Sequence, residues 1–115
     1  MTQPHDVMLV LTNLPDREAA MKLANALIKE KAAACVNVLG ACTSVYRWQG
    51  KVENAEEIPL LIKSTAARYA ALETLIHRLH PYELPEIIAI PVAHGLPGYL
   101  QWVVSETSNQ VSEKT

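Results

Sequence analysis

Thr43-Ser44-Val45-Tyr46-Arg47-Trp48-Gln49-Gly50-Lys51-Val52 is the stretch on which the fold turns. Thr43 to Trp48 is β-type sequence, Gln49-Gly50 supplies a turn, and Lys51-Val52 begins a return strand. Upstream, Cys35-Val36-Asn37-Val38-Leu39 reads as a strand, with Gly40 as a bend or bulge. Downstream, Ile58, Leu60 and Ile62 alternate with Glu57, Pro59, Leu61 and Lys63, which carries the return to about Ser64. Each arm then spans roughly 14 residues, against a typical strand of about 5–6. A hairpin this long overhangs a four-stranded sheet and exposes backbone together with Tyr46 and Trp48. Because open edges invite pairing, another subunit is expected to cover the overhang. Pro59 lacks an N–H to donate, so it belongs at an edge or a bulge.

Working outward, Val7 to Leu11 is a continuous apolar run, the pattern of a strand buried on both faces. A loop over Thr12 to Asp16 leads into a helix from Glu18 to Lys31, with Asn13 as a candidate cap and apolar Ala20, Leu23, Ala24, Leu27 and Ile28 at helical spacing. Thr65 is placed to cap a second helix, Ala66 to Leu79. Pro81 ends it, a strand follows over Glu86 to Val92, and a short helix over Tyr99 to about Glu106 precedes a polar tail, Thr107 to Thr115, expected to fray. The order β-α-β-β-α-β plus a C-terminal helix predicts an α+β, ferredoxin-like fold: a four-stranded antiparallel sheet with two helices on one face. The chain reads as one domain over 1–115, with an ordered core at about 6–107.

Half of the 115 residues are hydrophobic and 19% are charged, which suits a globular domain and not a disordered one. The net charge is −2 and the ten Lys and Arg are scattered, so neither a nucleic-acid stripe nor a polybasic membrane patch is present. There is no apolar run of membrane-spanning length and no signal-peptide pattern. The two cysteines, Cys35 and Cys42, make no disulfide framework and read as reduced thiols, so a cytoplasmic location is expected.

Candidate chemistry gathers in His80-Pro81-Tyr82-Glu83-Leu84-Pro85-Glu86. His80 has two readings: a ring nitrogen that ligates a metal, or a side chain that satisfies carbonyls at a helix end. His77 lies three residues earlier, and Glu83 and Glu86 add oxygen donors, with salt bridges between subunits as the other reading of Glu86. Cys35 reads as a small core residue, with soft-metal ligation as the alternative for it and for Cys42. No zinc spacing, phosphate-cradling glycine loop or catalytic triad is present, so no catalytic residue is assigned. Tyr46, Trp48, Tyr82, Tyr99 and Trp102 are expected as interface anchors or as the lining of a small-molecule cleft.

Ala32-Ala33-Ala34-Cys35-Val36-Asn37, Ser44-x-Tyr46-x-Trp48-x-Gly50-Lys51, Leu61-Ile62-Lys63-Ser64, His80-Pro81-Tyr82-Glu83-x-Pro85-Glu86 and Gly95-x-x-x-Tyr99-Leu100-x-Trp102 resemble the CutA divalent-cation tolerance family, in order and spacing, over Val7 to Thr107. The resemblance implies a non-enzymatic homotrimer with sheets that span subunits and a role in tolerance of copper and other divalent cations. It also implies a likeness to PII signalling proteins, which bind small ligands between subunits. Copper ligands credited to some relatives fall at Thr12 and at the pair Leu79-His80, so only His80 carries over. The expected metal residues are therefore His80 and Glu83.

Overall fold

The computed structural model describes residues 2–108. Its spine is the 15-residue strand β4 (Lys51–Thr65). (Strands and helices are β1 Val7–Leu14, α1 Arg17–Lys29, β2 Cys35–Val38, β3 Cys42–Trp48, β4, α2 Ala66–Leu79, β5 Ile88–Pro91 and α3 Pro97–Glu106.) One side of β4 pairs antiparallel with β1, from Ile58 opposite Leu14 to Thr65 opposite Val7. Its other side meets β2, Val38 opposite Leu60, and then β3, Cys42 opposite Glu57. β5 pairs with the far edge of β1. The sheet order is β2-β4-β1-β5, with β3 paired to β4 beyond β2.

The antiparallel α+β arrangement agrees with the sequence reading, but the sheet has five strands rather than four. The reason lies between β2 and β3. There Leu39, Gly40 and Ala41 face only Ile58 and Pro59, so one arm carries an extra residue and breaks into two strands. Pro59 sits opposite this bulge, where its missing N–H disturbs the ladder least, and its carbonyl accepts from the Leu39 N–H at 3.0 Å. At the hairpin tip Gln49 (φ 50°) and Gly50 (φ 83°) are both left-handed, the type I′ signature that matches strand twist. Residues 51–57 of β4 have β3 on one side and no described strand on the other. This projecting ribbon stretches the molecule to 53 × 28 × 23 Å.

Strand alternation sorts the side chains into two faces. Val10, Thr12 and Leu14 of β1 and Leu60, Ile62 and Ser64 of β4 are buried. Val10, Leu14, Leu60 and Ile62 form one core with Leu23, Leu27, Leu72 and Ile76 of α1 and α2. α1 is capped by Asp16, whose Oδ1 accepts from the Ala19 N–H at 2.8 Å, and not by Asn13, which the longer β1 absorbs. Thr65 stands at the cap of α2 but its side chain makes no capping bond. Instead the carbonyls of Asp6 and Pro4 accept from the Ala66 and Ala67 N–H groups, so the N-terminal segment closes that helix. β5 is shorter than the expected Glu86 to Val92, and α3 starts at Pro97, where proline suits a first turn.

α3 lies on the opposite face, where Tyr99 meets Cys35 of β2. Cys35 is accordingly half-buried beside the Lys63 ammonium, 3.9 Å away, rather than in the core. Thr107, expected to fray, is buried: its hydroxyl donates to the Val103 carbonyl at 2.8 Å. Residues 109–115 of the expected tail lie outside the described residues. This second face is only partly covered. Ile88 and Ile90, which sit beside Leu11 and Leu9 of β1, are 50% and 47% exposed, and Trp102 of α3 is 42% exposed.

Candidate functional site

α2 ends at His80, whose backbone is extended because Pro81 follows it. The His80 ring turns inward and is 7% exposed. Its Nδ1 accepts from the Tyr82 N–H at 3.2 Å, and its Nε2 lies 2.7 Å from the Asn13 carbonyl. A carbonyl can only accept, so Nε2 carries the proton and donates it to Asn13, while the Nδ1 lone pair faces Tyr82. Burial holds the imidazole pKa below its usual 6.5, against the upward pulls of the Asn13 carbonyl and the Glu57 carboxylate. At neutral pH the ring is therefore uncharged, with its tautomer fixed.

That ring contacts the ring of Tyr82 at a centroid distance of 4.8 Å. The Tyr82 hydroxyl reaches across to the projecting ribbon and donates to Glu57 Oε2 at 2.9 Å. Burial, and then the hydrogen bond and charge of Glu57, push the phenol up to about 12, so it remains a donor throughout the physiological range. Asn13 also ties in the next turn, its Nδ2 donating to Glu86 Oε1 at 3.1 Å. The end of β1, the root of the hairpin and the 80–86 turn are thereby laced together.

Between ribbon and turn lies a cavity of about 620 Å³. Tyr46, Trp48 and Tyr82 give it aromatic walls, and Glu57, Glu83 and Glu86 give it carboxylates. The structure thus joins Tyr46, Trp48 and Tyr82 in one place and leaves Tyr99 and Trp102 on α3, where their rings stack on each other at 5.6 Å. Glu83 is exposed, lines the cavity, and makes no side-chain hydrogen bond with a described residue. His77 is exposed on α2, in a shallow depression with Glu73, Thr74 and Arg78. Cys42 is half-buried, its sulfur 3.8 Å from the Ser44 hydroxyl. Among the described residues no three His, Cys, Asp or Glu side chains converge on one point as a metal cluster would. Thr12 is wholly buried and its hydroxyl has no hydrogen-bond partner among the described residues.

Two site residues escaped the sequence reading. Glu57 was visible only as one polar position in an alternating strand, and its burial depends on Tyr82, 25 residues away. Asn13 holds His80 through its backbone carbonyl, which no side-chain pattern reveals, and Glu86 through its side-chain amide.

The family described as CutA1 divalent ion tolerance protein matches residues 8–106. A divalent-cation tolerance protein CutA of Thermus thermophilus is 43% identical over 99 residues, which cover 86% of this chain and 96% of that one. A chloroplastic CutA of Arabidopsis thaliana is 40% identical over 102 residues, and the chain spans 56% of its length. The crystal structure of CutA from Xylella fastidiosa superposes with a TM-score of 0.87 at 46% identity, over 90% of this chain and 99% of that one. With the profile, the identity and the fold in agreement over nearly the whole described length, the chain belongs to the CutA1 divalent ion tolerance family.

Proposed function

We propose that the protein works as a non-enzymatic homotrimer in tolerance of divalent cations, with copper its foremost metal. The observation that carries the assembly is the open edge of β4 over residues 51–57, flanked by Val45 and Val52 at 70% and 66% exposure. A strand edge and apolar side chains left open together are the features that subunit contacts cover. The partly bare face with Ile88, Ile90 and Trp102 gives the neighbours a second surface. The number three rests on the family resemblance. A reducing, cytoplasmic setting suits the two free thiols.

For the metal, the proposed ligands are His80 and Glu83. The neutral His80 ring needs no deprotonation to bind, which favours it. Its only lone pair, on Nδ1, is engaged by the Tyr82 N–H, so copper must displace a bond worth about 1 kcal/mol. Glu83 is exposed, makes no side-chain hydrogen bond with a described residue and is close in sequence, and it supplies the oxygen donor. In this reading metal entry shifts Tyr82, and through it the Glu57 bond across the cavity.

Calorimetric titration with Cu(II) tests the assignment, using His80→Gln because glutamine can still donate to the Asn13 carbonyl. Loss of an imidazole ligand is expected to weaken copper binding at least about tenfold, the equivalent of 1.4 kcal/mol. Unchanged copper affinity in a folded His80→Gln protein removes His80 from the site. The cavity favours a second reading, in which a small organic ligand between subunits regulates the trimer, as the PII likeness implies.

A further inference from the structure

The root of the ribbon is built as a hinge. From Ile58 to Thr65 β4 is braced by β1, and from Leu60 to Lys63 by β2 as well. Over residues 51–57 only β3 lies beside it, and β3 pairs with no other strand. The ladder is broken just there, where residues 39–41 face Ile58 and Pro59, and bulges of this kind bend strands. A two-stranded ribbon by itself is only marginally stable in water, so its own ladder does not fix its direction. Nor does it rest on the body, because the cavity of about 620 Å³ separates Tyr46 and Trp48 from Glu83 and Glu86.

One bond crosses the gap. Among the described residues, the bond from the Tyr82 hydroxyl to Glu57 Oε2, at 2.9 Å, is the only side-chain hydrogen bond between residues 42–57 and the rest of the chain. Its position governs the hinge, since Glu57 immediately precedes the stretch of β4 that β1 holds. Its other end is fixed. The Tyr82 N–H donates to His80 Nδ1, His80 Nε2 donates to the Asn13 carbonyl, and the Asn13 side chain holds Glu86. The acceptor is a carboxylate only 8% exposed, and a charge-assisted bond of this kind is a strong one. Without it the charge is left buried, and the ribbon gains by swinging out until water reaches Glu57.

We propose that Tyr82 and Glu57 form a latch that fixes the angle of the ribbon, and that this angle sets the affinity of the subunits for one another. An edge already held in its joining direction associates at a lower ordering cost than one that must first be brought there. Tyr82 is thus a positioning residue: it acts on the joining edge through Glu57 and needs no contact with the neighbour. Because its N–H is held by His80, the 80–86 turn and the joining edge move together. The inference deepens the assembly reading and rests on it, and it does not depend on a bound metal.

The test is sedimentation velocity of the full-length protein over a dilution series, joined to a distance measurement. Tyr82→Phe removes only the hydroxyl. Its trimer is expected to dissociate at protein concentrations at least about tenfold higher than wild type, with far-UV circular dichroism unchanged. Glu57→Gln keeps an acceptor for the hydroxyl and is expected to shift less than Tyr82→Phe. The angle itself is read between spin labels at the exposed positions of Arg47→Cys and Glu73→Cys, with Cys35 and Cys42 replaced by alanine. Asn54→Pro is added to block the open edge of that chain. A narrow distance distribution is expected with Tyr82 and a broad one in Tyr82→Phe. An equal dissociation midpoint in Tyr82→Phe, or an equal distance distribution, overturns the latch. A wild type that is a monomer at every concentration overturns the assembly reading and with it the effect on affinity. The distances then still decide whether the latch sets the ribbon's angle.

Discussion

The Asn54→Pro variant is expected to separate the proposed trimer into protomers while each protomer keeps its fold. Trp48 and Lys51 flank the two-residue turn and form the first hydrogen-bonded pair of the hairpin. Antiparallel alternation then points the N–H groups of Glu53, Ala55 and Glu57 at β3, and those of Val52, Asn54 and Glu56 at the open edge. Proline at position 54 removes only an outward donor and sets its ring where a neighbouring strand would dock. Far-UV circular dichroism should be retained while light scattering reports the 12.7 kDa chain alone. Asn54→Thr, which keeps the donor, should remain assembled. An intact Asn54→Pro trimer would show that the ribbon edge is not where subunits join.

His80→Ala carries the other large effect, a loss of stability of about 3 kcal/mol. It strips partners from two backbone groups, the Asn13 carbonyl and the Tyr82 N–H, at about 1–3 kcal/mol for each group left buried and unpaired, and it opens a void beside Tyr82. Urea unfolding measures it directly. His80→Gln should recover part of the loss through its amide donor. The pH dependence has a definite sign. The folded state holds the imidazole pKa below 6.5, so the unfolded chain binds the proton more readily, and wild type should lose stability as pH falls below about 6.5. His80→Gln should lack that share of the acid sensitivity. A cost below about 1 kcal/mol for His80→Ala would mean that the ring does not pin the turn.

Much of the fold was legible because it rests on periodicity. The alternation of Ile58, Leu60 and Ile62 and the helical spacing of Leu23 and Leu27 each require only local sequence, and the structure buries Leu60, Ile62, Leu23 and Leu27. Caps were less legible. Asp16 and Asn13 are both good capping residues, and the choice depended on how far β1 extends, which its pairing with β4 decides. Thr65 was placed correctly, yet its side chain was displaced from the task by carbonyls from Pro4 and Asp6. The site was half legible. The His80 to Glu86 turn announced itself by composition, but the fate of its imidazole depended on a backbone carbonyl 67 residues away. Of the cavity only the aromatic candidates Tyr46, Trp48 and Tyr82 were legible, because its place and its carboxylate Glu57 depend on how the ribbon lies beside the 80–86 turn.

The central physical claim is that β4 is longer than the strands its own chain can set beside it, so neighbouring copies complete the ribbon. Light scattering of the wild-type protein at micromolar concentration tests this most directly. The expected mass is three times the 12.7 kDa of one chain; a single species at 12.7 kDa would contradict the claim.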